Sequence, residues 1–230
     1  IDEALVNSFK DFFTRFGLWT ASLLLLIIAT YRLTDIVMGP MAMPFYLDMG
    51  FTKTEIGALV KTVALLASIF GFFVGGYLIK HLTISTSLII GGISVLVTNL
   101  FFAFVASSEE SISLLSLVVG LDSFAAGLVG TINIAFLTSL VSKKYTAVQY
   151  AMLTSFMMLP GKLISGFSGV LVDYFTSIWS WSLQMDGIDY ICISPLPVGW
   201  TYFFYTTSAM AIPAIIFIAV YKKSHEIHSA

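Results

Sequence analysis

The sequence predicts an all-α membrane protein of six transmembrane helices, preceded by an amphipathic interfacial helix. Three observations carry this. Hydrophobic residues fill 58% of the 230 positions and charged residues only 10%, where a soluble domain carries roughly 25% charged residues. The apolar residues fall in long runs, the first from Gly17 to Met38, and about 20 such residues cover the hydrocarbon thickness of a bilayer. The basic residues segregate. With the N-terminus in the cytoplasm, Lys10, Arg15, Lys80, Lys143, Lys144, Lys222 and Lys223 fall on that side and Lys53 alone on the other. That asymmetry is the positive-inside pattern, and six spans return the C-terminus to the cytoplasm.

Composition narrows the function. A net charge of −2 gives no basic signature for nucleic acid. The single cysteine, Cys192, allows no disulfide within the chain and no cysteine metal site. His81, His225 and His228 fall near the cytoplasmic ends with no metal-ligand spacing, so neither a metal nor a cofactor is expected. No His-Glu-x-x-His helix, Gly-x-Ser-x-Gly elbow or phosphate-binding loop occurs. No histidine lies within a span to act as base for an intramembrane serine, so an enzyme is not expected.

Residues 1–16 set Leu5, Val6, Phe9, Phe12, Phe13 and Phe16 at helical spacing among charges, which suits a helix lying on the membrane surface; a plain linker fits the same stretch. No signal-peptide pattern occurs, and the chain opens on Ile1, read as a cut point. The first span runs from Gly17 to Met38, ended by Gly39-Pro40 and Pro44, with a loop to Thr54. The second covers Glu55–Ile79 and carries Gly71 and Gly75 as a close-contact face. The third covers Ser85–Val105, with Gly91, Gly92, Ser94, Thr98 and Asn99 as its small or polar members, and ends at the acidic Glu109-Glu110 loop.

The fourth span covers Ile112–Val141. It aligns Gly120, Ser123, Gly127 and Gly130 on one face. The fifth covers Ala147–Val172, with a break expected at Pro160-Gly161-Lys162; broken helices at mid-membrane often line transport sites. Residues 173–198 are expected as the longest loop, with Trp179, Trp181 and Tyr190 forming an interfacial belt near Pro195 and Pro197. The sixth span covers Gly199–Tyr221, and 222–230 is a cytoplasmic tail.

Five ionisable residues fall inside spans: Arg32, Asp35, Lys61, Asp122 and Lys162. Each costs about 2.5–3.5 kcal/mol at a helix centre on the insertion scale. Pairing would offset this, Asp35 with Arg32 or Lys61 and Asp122 with Lys162, and Lys61 could snorkel. A polar cavity between helices is the functional alternative. Three positive and two negative residues then favour an anionic small-molecule substrate bound by Arg32, Lys61 and Lys162. Asp35 and Asp122 are the candidate proton carriers. Asn133 and Gln149 are candidate substrate contacts, and Asn99, Thr131 and Ser165 further polar groups of the pathway.

Several strings are more specific. They are Tyr31-Arg32-Leu33-Thr34-Asp35, the run Pro44 to Gly57, Lys61-Thr62, Gly75-Gly76, Ala126 to Thr131, Tyr145 to Ala151 and Gly199-Trp200. Together they resemble the C-terminal half of the AmpG family of muropeptide permeases, over most of residues 17–221. The resemblance implies one six-helix bundle of the major facilitator type. It implies a proton-driven importer of anhydro-muropeptides from peptidoglycan turnover, in the bacterial inner membrane. It implies a missing N-terminal six-helix half as partner, since two bundles rock about a central site; a six-span protein that dimerises is the alternative. The chain departs from the family at Asp122-Ser123, where an acid, usually glutamate, followed by asparagine is common. It departs also at Gly161-Lys162, where Gly-Arg is common and lysine lacks the bidentate fork. Related acetyl-CoA transporters, and a membrane sensor with a transporter fold, are the alternative functions.

Overall fold

The computed structural model describes residues 2–185 and 196–228, with side chains over 6–178 and 198–224. Helix α1 (Asp2–Phe16) leads in. The first span is built from α2 (Leu18–Tyr31), α3 (Leu33–Met38), a 3-10 turn (Gly39–Met41) and α4 (Ala42–Asp48). The second joins α5 (Lys53–Leu59), a π-helical segment (Val60–Ala64) and α6 (Leu65–His81). Then come α7 (Ile84–Ala106) and α8 (Ile112–Leu140), each one span. The fifth joins α9 (Thr146–Ser165) and α10 (Ser168–Met185), and α11 (Leu196–His228) holds the sixth. Six helical stretches are long and apolar enough to cross a membrane.

Helix starts follow from local chemistry. Thr52 and Glu55 form a reciprocal capping box on α5. Thr83 accepts from the Thr86 amide at 3.3 Å and Ser111 from the Leu114 amide at 3.4 Å, so each serves an otherwise unpaired donor. Gly50 turns the chain between α4 and α5 at φ +90°, a region open to glycine.

Three sequence expectations are corrected. The first span does not end at Gly39: it continues through the 3-10 turn to Asp48. Pro40 sits in the first turn of that 3-10 segment, and Pro44 in the first turn of α4, where a missing N–H costs no bond. Pro160 does not interrupt α9; the fifth span breaks instead at Gly166-Phe167. The expected long loop is helical over 173–185, where neither proline nor glycine precedes Met185 and Thr176 bonds back to the Val172 carbonyl at 2.9 Å. Residues 186–195, with Tyr190, Cys192 and Pro195, lie outside the described residues, as do the side chains of Trp179, Trp181, Pro197, His225 and His228.

Glycines set the helix pairing. A side chain on Gly71 would meet the Phe124 carbonyl of α8, and one on Gly127 would meet the Ser68 carbonyl of α6. The small faces of the second and fourth spans therefore close on each other, backbone against backbone. Lipid is as apolar as leucine, so such packing rather than hydrophobic transfer drives association in a membrane. Helix α7 runs along α11 and α8, and α9 packs on α2 and α3.

Two apolar cores lie at opposite ends of the bundle. Phe12, Leu24, Ile28, Leu88, Ile132, Leu140, Leu153 and Ile218 belong to one. Phe45, Tyr46, Phe102, Leu115, Trp200, Phe203 and Phe204 belong to the other. In the second, Phe45 meets Phe204 edge-on at 4.8 Å, and Trp200 Nε1 donates to Asp48 Oδ2 at 3.1 Å. The C-terminal part of the first span is thereby fastened to the sixth.

Candidate functional site: a polar layer between two cores

Following each helix from one core to the other crosses a polar residue at the changeover. On the first span Arg32, Thr34 and Asp35 lie between Tyr31 and Val37. On α7 Thr98 and Asn99 lie between Val95 and Phe102; on α8 Asp122 lies between Val119 and Leu128. On α11 Thr207 and Ser208 lie between Phe204 and Ala214. Polar groups of four spans thus share one level of the bundle.

Arg32 stands at a break in its own span, with φ −104° and ψ 8°, between α2 and α3. Arg32 Nε lies 3.5 Å from Asp35 Oδ2, with side chains 27% and 21% exposed. Both atoms are buried and neither makes a hydrogen bond. Of the two pairings open to Asp35, the structure selects Arg32.

Asp122 pairs differently from expectation. Its Oδ1 accepts from Thr98 Oγ1 at 3.2 Å, and Lys162 makes no ion pair with it. A groove of about 470 Å³ between α8 and the second span is lined by Val63, Ser113, Ser116, Leu117, Gly120 and Leu121, and Asp122 is not part of its lining.

Lys61 and Lys162 are both exposed, and among the described residues neither forms an ion pair. Lys61 sits in the π-helical segment, a distortion frequent at functional positions. Lys162 is in the last turn of α9, directly after Gly161, which packs against Ile36 of α3.

Asn133 is buried, and its Nδ2 donates to Met157 Sδ at 3.2 Å, joining α8 to α9. Gln149 is buried and fully engaged in hydrogen bonds at one end of α9. Its Oε1 accepts from the Ser142 amide at 2.7 Å, and its Nε2 reaches Asp11 Oδ2 at 2.9 Å and the Ser8 carbonyl at 3.2 Å. The amide is committed to α1 and the α8–α9 turn. Arg15 caps the Leu140 carbonyl in the same junction, and Phe12 is fully buried there. Asn99 joins α7 to α11, Thr131 reaches the Phe72 carbonyl of α6 at 3.4 Å, and Ser165 bonds within its own turn.

Sequence reading named Thr98 only as a polar member of its span and Thr34 only within a family string, and missed Thr207, the break at Arg32 and the π-helical segment. A hydroxyl residue in a span normally bonds its own helix, and nothing in its type reveals a partner on another one.

No family model matches the chain. Curated relatives do. AmpG 4 of Rickettsia conorii, a transporter by name, is 31% identical over 219 residues, 95% of this chain and 46% of the relative. The chain belongs to the AmpG family. AmpG 1 of Rickettsia prowazekii is 27% identical over 200 residues, 87% of this chain and 40% of the relative. The anhydromuropeptide permease of Escherichia coli is 26% identical over 227 residues, 98% of this chain and 41% of that protein. The chain spans about half the length of the curated relatives it matches. With six apolar helices, this AmpG-family chain is a multi-pass membrane protein.

Proposed function

We propose that the chain is the C-terminal half of a secondary active transporter that imports an anionic solute together with protons, the solute being anhydro-muropeptides. Residues 17–221 form the transport bundle, 1–16 the interfacial lead-in and 222–230 a cytoplasmic tail. The complete protein pairs this bundle with a second six-helix half in the bacterial inner membrane. Both termini of the chain are cytoplasmic, in keeping with its basic end segments. The protein acts as a carrier and not as an enzyme.

One observation carries the reading: ionisable groups of two spans, the Arg32–Asp35 pair and Asp122, fall in one polar layer between two apolar cores, and Arg32 Nε and Asp35 Oδ2 are left without hydrogen bonds. Such groups are expensive in a membrane unless a pathway uses them. Arg32 is the primary anion contact. Its guanidinium matches a carboxylate or phosphate in a bidentate way, and Nε has no hydrogen-bond partner. Lys61 and Lys162, both exposed, add positive potential when substrate and the second half enclose them. Asp122 and Asp35 carry the proton. The name of the Escherichia coli relative supports the substrate.

The test is uptake of labelled anhydro-muropeptide by vesicles holding the full-length parent protein, with and without an imposed proton gradient. Gradient-dependent uptake supports the reading. Binding without uptake makes the protein a sensor with a transporter fold, and chemical change of the ligand makes it an enzyme.

A further inference from the structure

We infer that Thr98 is the positioning residue for the proton on Asp122, and that a buried hydrogen-bonded line through Asn99 and Thr207 ties Asp122 to Thr34, beside Asp35. This rests on the reading of Asp122 as a proton carrier.

Thr98 Oγ1 lies 3.2 Å from Asp122 Oδ1 and 3.1 Å from the Val95 carbonyl. A hydroxyl carries one hydrogen, so it serves one acceptor at a time. With Asp122 ionised, the hydroxyl donates to the carboxylate. With Asp122 protonated, the acid O–H donates to Thr98 Oγ1 and the Thr98 hydrogen turns to the Val95 carbonyl. The single O–H bond made or broken is that of Asp122, its proton exchanging with water.

The line continues across the bundle. Asn99 Nδ2 donates to the same Val95 carbonyl at 3.0 Å, so that oxygen stays partnered when Thr98 turns away. Asn99 Oδ1 accepts from Thr207 Oγ1 at 2.7 Å, and the Thr207 carbonyl accepts from Thr34 Oγ1 at 3.2 Å. Thr34, Thr98, Asn99 and Thr207 are all at most 5% exposed. In such surroundings a satisfied network is rigid and a half-satisfied one costly. The line runs from α8 through α7 and α11 to α3, and α3 begins at the Arg32 break. The line thereby ties the level of Asp122 to the segment that holds the Arg32–Asp35 pair.

The other charged or titratable groups around Asp122 do not perform this role. Asp35 and Tyr46 stand on the first span, and Arg32 pairs with Asp35. Lys61 on the π-helical segment packed against α8, and Lys162 on α9, make no ion pair among the described residues. Thr98 is the side chain seen to bond Asp122.

The experiment needs no substrate. The infrared band of protonated carboxyl groups is followed against pH in the full-length parent protein, for wild type and for D122N, T98V, T98A and T98S. The band lost in D122N belongs to Asp122; absence of any such band overturns the carrier reading itself. With the band assigned, T98V displaces its midpoint by about one pH unit and changes its frequency, while T98S restores both. Should T98V fail to fold, T98A gives the same displacement. An Asp122 band unmoved in the folded valine or alanine variant, or moved as far in T98S, overturns the inference about Thr98 alone.

Discussion

Arg32 Nε and Asp35 Oδ2 face each other at 3.5 Å across a break in the first span, and neither atom makes a hydrogen bond. A buried ion pair stabilises only when its remaining donors and acceptors are satisfied. This one is held close yet left open, which suits a site that a third charged group completes. R32K keeps the charge and loses the planar fork. The expected outcome is a KM for the anionic solute raised about tenfold, equal to about 1.4 kcal/mol, with kcat changed much less. Equal loss in both parameters would place Arg32 outside substrate binding.

Gly127 sits with its Cα against the Ser68 carbonyl. A methyl group there must push α8 away from α6, and overpacking of this kind costs about 1–3 kcal/mol. G127A is therefore expected to lower the melting temperature of the full-length protein in detergent, and G127L to prevent folding. G76A is the control, since nothing lies near a side chain at Gly76; it leaves the melting temperature unchanged.

Gln149 holds α1 to the turn between α8 and α9 through three hydrogen bonds. Q149A leaves the partly buried Asp11 carboxylate and Ser142 amide without this partner, a loss of about 1 kcal/mol. Amide hydrogen exchange over residues 8–16 should accelerate selectively, while solute affinity stays as in wild type. Exchange unchanged over that stretch would mean that α1 docks through Phe12 and Arg15 without Gln149.

Much of the fold was legible because each cue is local. Span length and hydropathy fix the third and fourth helices to within a residue at either end, and the small-residue faces of Gly71, Gly75 and Gly127 announced where backbones meet. The prolines misled because their effect depends on position within a turn: Pro40 and Pro44 lie where no amide is needed, so the span runs on to Asp48. The acids and bases of the site were visible as charges in apolar runs, but their partners were not. Asp122 found a threonine on another helix in place of Lys162, and Gln149 found α1 in place of the pathway. Those choices are made by helix rotation, which a weakly amphipathic span does not encode.

Asp122 and Asp35 should be separable by function. D122N is expected to abolish accumulation driven by a proton gradient while leaving exchange of labelled for unlabelled solute, which needs no net proton movement. D35N removes the counter-charge of Arg32 and should impair both. Loss of exchange in folded D122N protein would assign Asp122 to substrate binding instead.

The most direct measurement is uptake of labelled anhydro-muropeptide into vesicles containing the full-length parent protein, wild type beside D122N, with the interior alkaline or at equal pH. Wild-type protein is predicted to concentrate the solute only with the gradient imposed, and D122N to bring it no higher than equilibrium. Concentration by wild type without a gradient, or by D122N with one, would contradict proton coupling through the polar layer.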